Sequence, residues 1–63
     1  MTLSPRERDV LSALASGLGQ KAAAAALGMS PYTLKDRITS ARHKLGATTT
    51  LQAALIAQQR GIL

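Results

Sequence analysis

The sequence contains no cysteine, tryptophan or phenylalanine, and it has a single histidine, His43, and a single tyrosine, Tyr32. Without cysteine there is neither a disulfide nor a thiolate metal site, and one histidine does not build a zinc site. One tyrosine is too few for the stacked aromatic platforms that bind single-stranded nucleic acid. We therefore expect no cofactor and no metal ion, and disfavour a single-strand binder.

Long apolar runs are also absent. No stretch approaches the ~20 apolar residues of a membrane span, and no signal-peptide pattern opens the chain, so we expect no membrane partner. The 63 residues suffice for one small domain, which buries roughly 60% of the surface that its unfolded chain exposes. Alanine and leucine supply nearly all of the core, which favours helices.

Acidic residues are scarce. Three Asp and Glu stand against eight Lys and Arg, giving a net charge of +5 and a pI of about 10.9, which favours a polyanionic partner such as nucleic acid. Residues 20–45 hold five basic residues against Asp36, a net of +4, whereas residues 1–19 sum to zero. Such a cluster is also explained by a solvated surface. We favour nucleic acid because the basic residues coincide with the second and third predicted helices described below.

Capping and stop signals divide the chain into four predicted helices. Ser4 and Glu7 form a capping box ahead of a helix over residues 5–16. The alanine-rich segment 20–27 forms a second helix that Gly28 ends.

The third helix is predicted over residues 31–45, and a three-residue turn separates it from the second, as in a helix-turn-helix. A second capping box, Thr49 with Gln52, opens a fourth helix over residues 50–60. The fold class is therefore all-α with four helices. The apolar side of the third helix consists of Leu34, Ile38, Ala41 and Leu45, and that of the fourth of Leu51, Ala54, Leu55 and Ile56.

With these elements in place, the chain resembles the LuxR-type helix-turn-helix domain of bacterial transcription regulators. The resemblance covers almost the whole chain with its spacing intact. The matching segments are Leu3-Ser4-Pro5-Arg6-Glu7-Arg8, Val10-Leu11, Ala15-Ser16-Gly17, Thr33-Leu34-Lys35, Lys44-Leu45-Gly46-Ala47 and Arg60-Gly61-Ile62-Leu63.

The resemblance implies that the third helix enters the major groove of double-stranded promoter DNA and that the fourth helix forms a homodimer. RNA polymerase is a further expected partner. Three sets of residues follow: base contacts by Lys35, Asp36 and Thr39; backbone contacts by Gln20, Lys21, Tyr32, Thr33, Arg37 and Lys44; and dimer contacts by Leu51, Leu55 and Gln58.

Some of these residues have a plain structural alternative. Lys35 binds guanine or a phosphate, or is a solvated lysine; Asp36 accepts a hydrogen bond from cytosine, or is a first-turn acid paired locally with Lys35 or Arg37. Thr33 bonds a phosphate or caps the helix. The large apolar residues of the fourth helix, Leu51, Leu55 and Ile56, form an exposed dimer strip or complete the core. We interpret Arg42 and His43 as a solvated surface, two turns beyond Lys35.

The sequence departs from the family pattern at two places. The second helix reads Lys21-Ala22-Ala23-Ala24 where the family has Lys-Glu-Ile-Ala, so we expect a looser helix pair. Arg37 replaces a common histidine and adds a permanent charge.

The predicted function is sequence-specific DNA binding as the output domain of a bacterial transcription regulator, located in the cytoplasm and on the nucleoid when bound. We expect no enzyme, because Asp36, Ser40 and His43 share a convex helix face that offers no pocket. The alternative is a helix-turn-helix protein-interaction module that does not bind DNA. The resemblance also implies an upstream domain, so we expect a C-terminal fragment of the autoinducer-binding (quorum-sensing) branch, with a free-standing small protein as the alternative.

Overall fold

The computed structural model describes residues 2–63, which form four helices and no strand. This confirms the all-α class. Compared with the predicted bounds, the first and fourth helices each end one residue earlier. The helices are α1 (Pro5–Ala15), α2 (Gln20–Leu27), α3 (Pro31–Leu45) and α4 (Thr50–Gln59).

The helix ends follow most of the predicted signals. Ser4 and Glu7 form the full capping box, with Ser4 Oγ accepting from Glu7 N at 3.2 Å and Ser4 N donating to Glu7 Oε1 at 2.8 Å. Gly28, which ends α2, has φ +66°, a left-handed conformation that side chains other than glycine rarely adopt. This glycine lets the chain turn from α2 into α3 within three residues.

The second capping box is only half correct. Thr49 Oγ1 accepts from Gln52 N at 3.0 Å, as predicted. Gln52 Oε1, however, accepts from Thr48 N at 2.7 Å and Thr48 Oγ1 at 2.8 Å instead of from the N–H of Thr49. Thr48 offers two donors to the same oxygen, which explains why the glutamine side chain reaches one residue further back.

The core lies between α1 and α3, and α2 and α4 each pack against both of these helices. Most of the fully buried residues that α2 and α4 contribute to these contacts are alanines. One core cluster contains Leu3, Leu11, Ala41, Leu45, Ala53 and Ala57; the other contains Val10, Ala23, Ala24, Leu34 and Ile38.

The buried side of α4 differs from the predicted one. Ala53, Ala54 and Ala57 are buried, whereas Leu51 is 71% exposed and Leu55 is 49% exposed. The predicted apolar side of α4 is therefore buried only in part, and of the two alternatives for these leucines the structure shows the exposed one. Ile56 is partly buried and packs against the core, so the buried side of α4 combines three alanines with one larger residue.

Candidate nucleic-acid interface

The buried side chains of α3 anchor one side of the helix in the core, so the opposite side faces the solvent. Leu34 and Ile38 are 1% and 4% exposed and lie one helical turn apart in the core. Ser30 caps the helix: its Oγ accepts from Thr33 N at 3.1 Å and donates to Thr33 Oγ1 at 3.1 Å. The hydroxyl of Thr33 is thus engaged in the local cap, which was the structural alternative for this residue.

The residues between the buried positions of α3 form an exposed surface. Lys35, Asp36, Arg37 and Thr39 are all exposed, and Tyr32 is 85% exposed at the start of the helix. Within residues 2–63, Asp36 forms no ion pair with Lys35 or Arg37. The cationic groups of Lys35 and Arg37 are therefore available to a partner.

The N-terminal end of α2 lies beside this surface. Gln20 and Lys21 are both exposed in the first turn of α2, and no side chain caps that end of the helix. Its unpaired backbone N–H groups and the helix dipole favour an anion there. We use the term α3 surface for a set of six exposed residues, four on α3 and two in the first turn of α2: Lys35, Asp36, Arg37, Thr39, Gln20 and Lys21.

Lys44 differs from the other basic residues because its ammonium group lies 2.7 Å from Glu7 Oε1. Its side chain is only 26% exposed, and the ion pair with Glu7 links α3 to α1. A phosphate contact by Lys44 stays a prediction, and such a contact competes with the Glu7 pair.

Glu7 is the buried acid that sequence reasoning missed. Only 2% of the residue is exposed, and its carboxylate accepts hydrogen bonds from Ser4, Ser40 and Lys44. Burial alone would raise the pKa of the Glu7 carboxyl, but the hydrogen bonds from Lys44, Ser40 and Ser4 lower that pKa from 4.5 to about 2. Glu7 precedes Val10 and Leu11 by three and four positions, which places it on the apolar side of α1 and was the available signal.

Arg42 also differs from its predicted role. His43 is exposed, as expected of a solvated surface, but Arg42 is half-buried, and its Nε is shielded from solvent without a hydrogen-bond partner among residues 2–63. Arg42 lies in the wall of an open hollow of about 210 Å³. The wall consists of Gln20, Lys35, Ile38, Thr39, Arg42 and Thr50.

The residues predicted for a dimer share one exposed strip of α4. Leu51, Leu55 and Gln58 are exposed and lie at helical spacing.

No helix within residues 2–63 is both long enough and apolar enough to cross a membrane. The described part of the chain also holds no cluster of three or more residues suited to bind a metal ion.

Four helices, a three-residue turn between α2 and α3 and an exposed basic surface on α3 together define a helix-turn-helix domain. Residues 1–57 match the family model described as bacterial regulatory proteins, luxR family. The chain therefore belongs to the luxR family.

Two curated proteins are similar to almost the whole chain. The transcriptional regulatory protein YdfI of Bacillus subtilis (strain 168) is 49% identical over 61 residues, which are 97% of this chain and 29% of that protein. The transcriptional regulatory protein MctR of Rhizobium johnstonii is 36% identical over 61 residues, which are 97% of this chain and 28% of that protein. The chain thus spans less than a third of the length of these relatives.

Proposed function

We propose that the chain binds double-stranded DNA sequence-specifically, as the DNA-binding domain of a bacterial transcription regulator, with α3 in the major groove. The observation that carries this proposal is the exposed position of Lys35 and its neighbours on a helix whose opposite side is anchored in the core. A helix presented in this way fits the wide groove of a duplex. Membership of the luxR family and the two related regulators support it.

Base recognition falls to three residues near the middle of α3. The Lys35 ammonium donates to guanine O6 or N7, and the Asp36 carboxylate accepts from the amino group of cytosine. Thr39 lies one turn after Lys35, where its hydroxyl or methyl group reaches the next base. Because Asp36 also repels phosphates, it adds selectivity at a cost in affinity.

Phosphate contacts supply most of the affinity. The proposed backbone contacts surround the base-reading residues, so they set the position of α3 along the groove. Three of the proposed contacting residues, Lys21, Arg37 and Lys44, are cationic, and three neutralised phosphates per monomer make the affinity fall roughly 40-fold between 50 and 200 mM salt. The contacting residues are Gln20, Lys21, Tyr32, Thr33, Arg37 and Lys44.

The exposed strip of α4 forms a two-fold dimer. In such a dimer, Leu51, Leu55 and Gln58 of one copy meet the same residues of the other, because a two-fold interface is self-complementary. Two α3 helices then read half-sites about one turn of DNA apart. We further propose that the bound regulator contacts RNA polymerase and acts in the cytoplasm, on the nucleoid.

The proposal is tested by the affinity of the protein for promoter DNA as a function of salt, with Lys35→Ala as the variant. We expect a steep salt dependence and a loss of about 1–3 kcal/mol of binding free energy with relaxed base preference for the variant. Arg8→Ala is the matched control, because it removes one exposed positive charge from α1. A flat salt dependence contradicts the proposal, and an equal loss on all sequences makes Lys35 a phosphate contact.

A protein-interaction module without DNA binding is the second candidate. The exposed leucines of α4 favour it, because an apolar strip on a small domain is typical of a protein contact. The same DNA titration separates the two candidates: an interaction module shows no measurable affinity for the duplex at low salt, either in the unchanged protein or in Lys35→Ala.

A further inference from the structure

The hollow shares Gln20, Lys35 and Thr39 with the α3 surface and adds Arg42 and Thr50, which lie outside that surface. Lys35, Thr39 and Arg42 line it at positions i, i+4 and i+7 of α3, which is one side of the helix. Gln20 of α2 and Thr50 of α4 close it from two sides. The hollow therefore lies where three helices meet.

The lining of the hollow is suited to an anion. It contains the positive charges of Lys35 and Arg42 and no carboxylate. Gln20 and Thr50 are the first residues of α2 and α4, and neither helix has an acidic residue in its first turn. The positive ends of two helix dipoles thus add to the charge of the two side chains.

Arg42 has an unmet hydrogen-bonding need. Its Nε–H is shielded from solvent and has no acceptor among residues 2–63. A donor shielded in this way is costly until an acceptor reaches it. A phosphate that enters the hollow satisfies this donor once the Arg42 side chain turns towards it, because a guanidinium donates through parallel N–H groups to two phosphate oxygens.

We propose that the hollow is a phosphate subsite that holds one backbone phosphate of the bound DNA, with Arg42 as its main ligand. The Lys35 ammonium keeps its contact with the base and adds its positive charge to the field in the hollow, and the Thr50 hydroxyl donates a hydrogen bond to the phosphate from the start of α4. The inference rests on the proposed DNA binding and adds a contact near the C-terminal end of α3. The contact of Arg42 with this phosphate sets the position of α3 along the groove.

The subsite is tested by the salt dependence of binding to a mixed-sequence duplex of about 20 base pairs. Arg42→Gln removes one phosphate contact, so the slope of log affinity against log salt becomes shallower by about 0.9, which is roughly an eightfold loss at 0.1 M salt. Arg42→Lys keeps the charge and restores most of the slope. Arg8→Gln, which removes an equal charge from α1, leaves the slope unchanged.

The outcomes separate the subsite from DNA binding itself. A flat salt dependence of the unchanged protein refutes the proposed function and the subsite together. A steep dependence that Arg42→Gln leaves unaltered refutes the subsite alone.

A second measurement needs no variant and so does not depend on the folding of Arg42→Gln. In the unchanged protein, the NMR resonances of Arg42 Nε–H and of the Thr50 amide shift when the duplex is added. Their shift changes saturate at the same duplex concentration as those of the α3 residues. Inorganic phosphate shifts the same two resonances only at much higher concentration. If the duplex moves α3 resonances but leaves these two in place, or if free phosphate binds as tightly as the duplex, the hollow is not a DNA subsite.

Discussion

Replacing Glu7 by glutamine tests how the structure holds α3 in place. Glu7 lies in α1, but Ser40 and Lys44, which donate hydrogen bonds to its carboxylate, lie in α3. Glutamine keeps the shape and one acceptor oxygen but removes the negative charge. The change therefore leaves Lys44 without its ion-pair partner while the packing of α1 stays the same.

The size of the effect follows from the pKa of the Glu7 carboxyl, which folding lowers from 4.5 to about 2. A lowering of this size corresponds to about 3 kcal/mol of stability at neutral pH. Lys44 is partly exposed and can turn to water, so we expect a loss of about 2–3 kcal/mol. A domain of this size holds only about 3–9 kcal/mol in total, and the loss lowers its Tm by roughly 10–20 °C.

The assay is thermal and urea unfolding followed by circular dichroism at 222 nm. Asp9→Asn is the matched control: it removes the same charge from the same helix, but Asp9 is exposed and lies 3.8 Å from Arg6. We expect the control to change the free energy of unfolding by less than ~0.5 kcal/mol. If Glu7→Gln destabilises the protein no more than Asp9→Asn does, the buried network does not hold α3.

Three further predictions concern acid, a turn and the α4 strip. Because the folded-state pKa of Glu7 lies below the unfolded value, Glu7 contributes to the free energy of unfolding above pH 4.5, and this contribution is lost as the pH falls towards about 2. Urea unfolding at a series of acid pH values shows this loss in the unchanged protein but not in Glu7→Gln. Gly28→Ala costs about 1 kcal/mol in urea unfolding because of its φ of +66°, whereas Gly28→Asn costs less; equal losses contradict the conformational explanation. Leu55→Ser keeps the helical circular dichroism of the monomer, since Leu55 is 49% exposed, but weakens self-association in analytical ultracentrifugation; if the sedimentation of the unchanged protein does not vary with concentration, the α4 dimer is contradicted.

The helices were predictable because their signals are local. The capping box of Ser4 with Glu7 depends on residues three apart in sequence, and the end of α2 depends on the single residue Gly28. Both predictions are confirmed. The apolar stripe of α3 likewise identified its buried side, and so the outward direction of Lys35.

The remaining features depend on contacts between distant parts of the chain. Glu7 meets Lys44 across 37 positions, and no local pattern indicates that pairing. On α4, both alanine and leucine are apolar, and only the way in which α4 packs on α1 and α3 selects Ala53 and Ala57 for the core and leaves Leu51 exposed. The half-buried state of Arg42 depends on the positions of α2 and α4 in the same way.

The most direct test of the central claim is an NMR titration of the isotope-labelled protein with a DNA duplex, followed residue by residue. If α3 enters the groove, the largest shifts occur at Lys21 and at residues 32–39, and they weaken together as salt is added. Shifts confined to residues 51–59, with the α3 surface unmoved, contradict the account and identify the domain as a protein-interaction module.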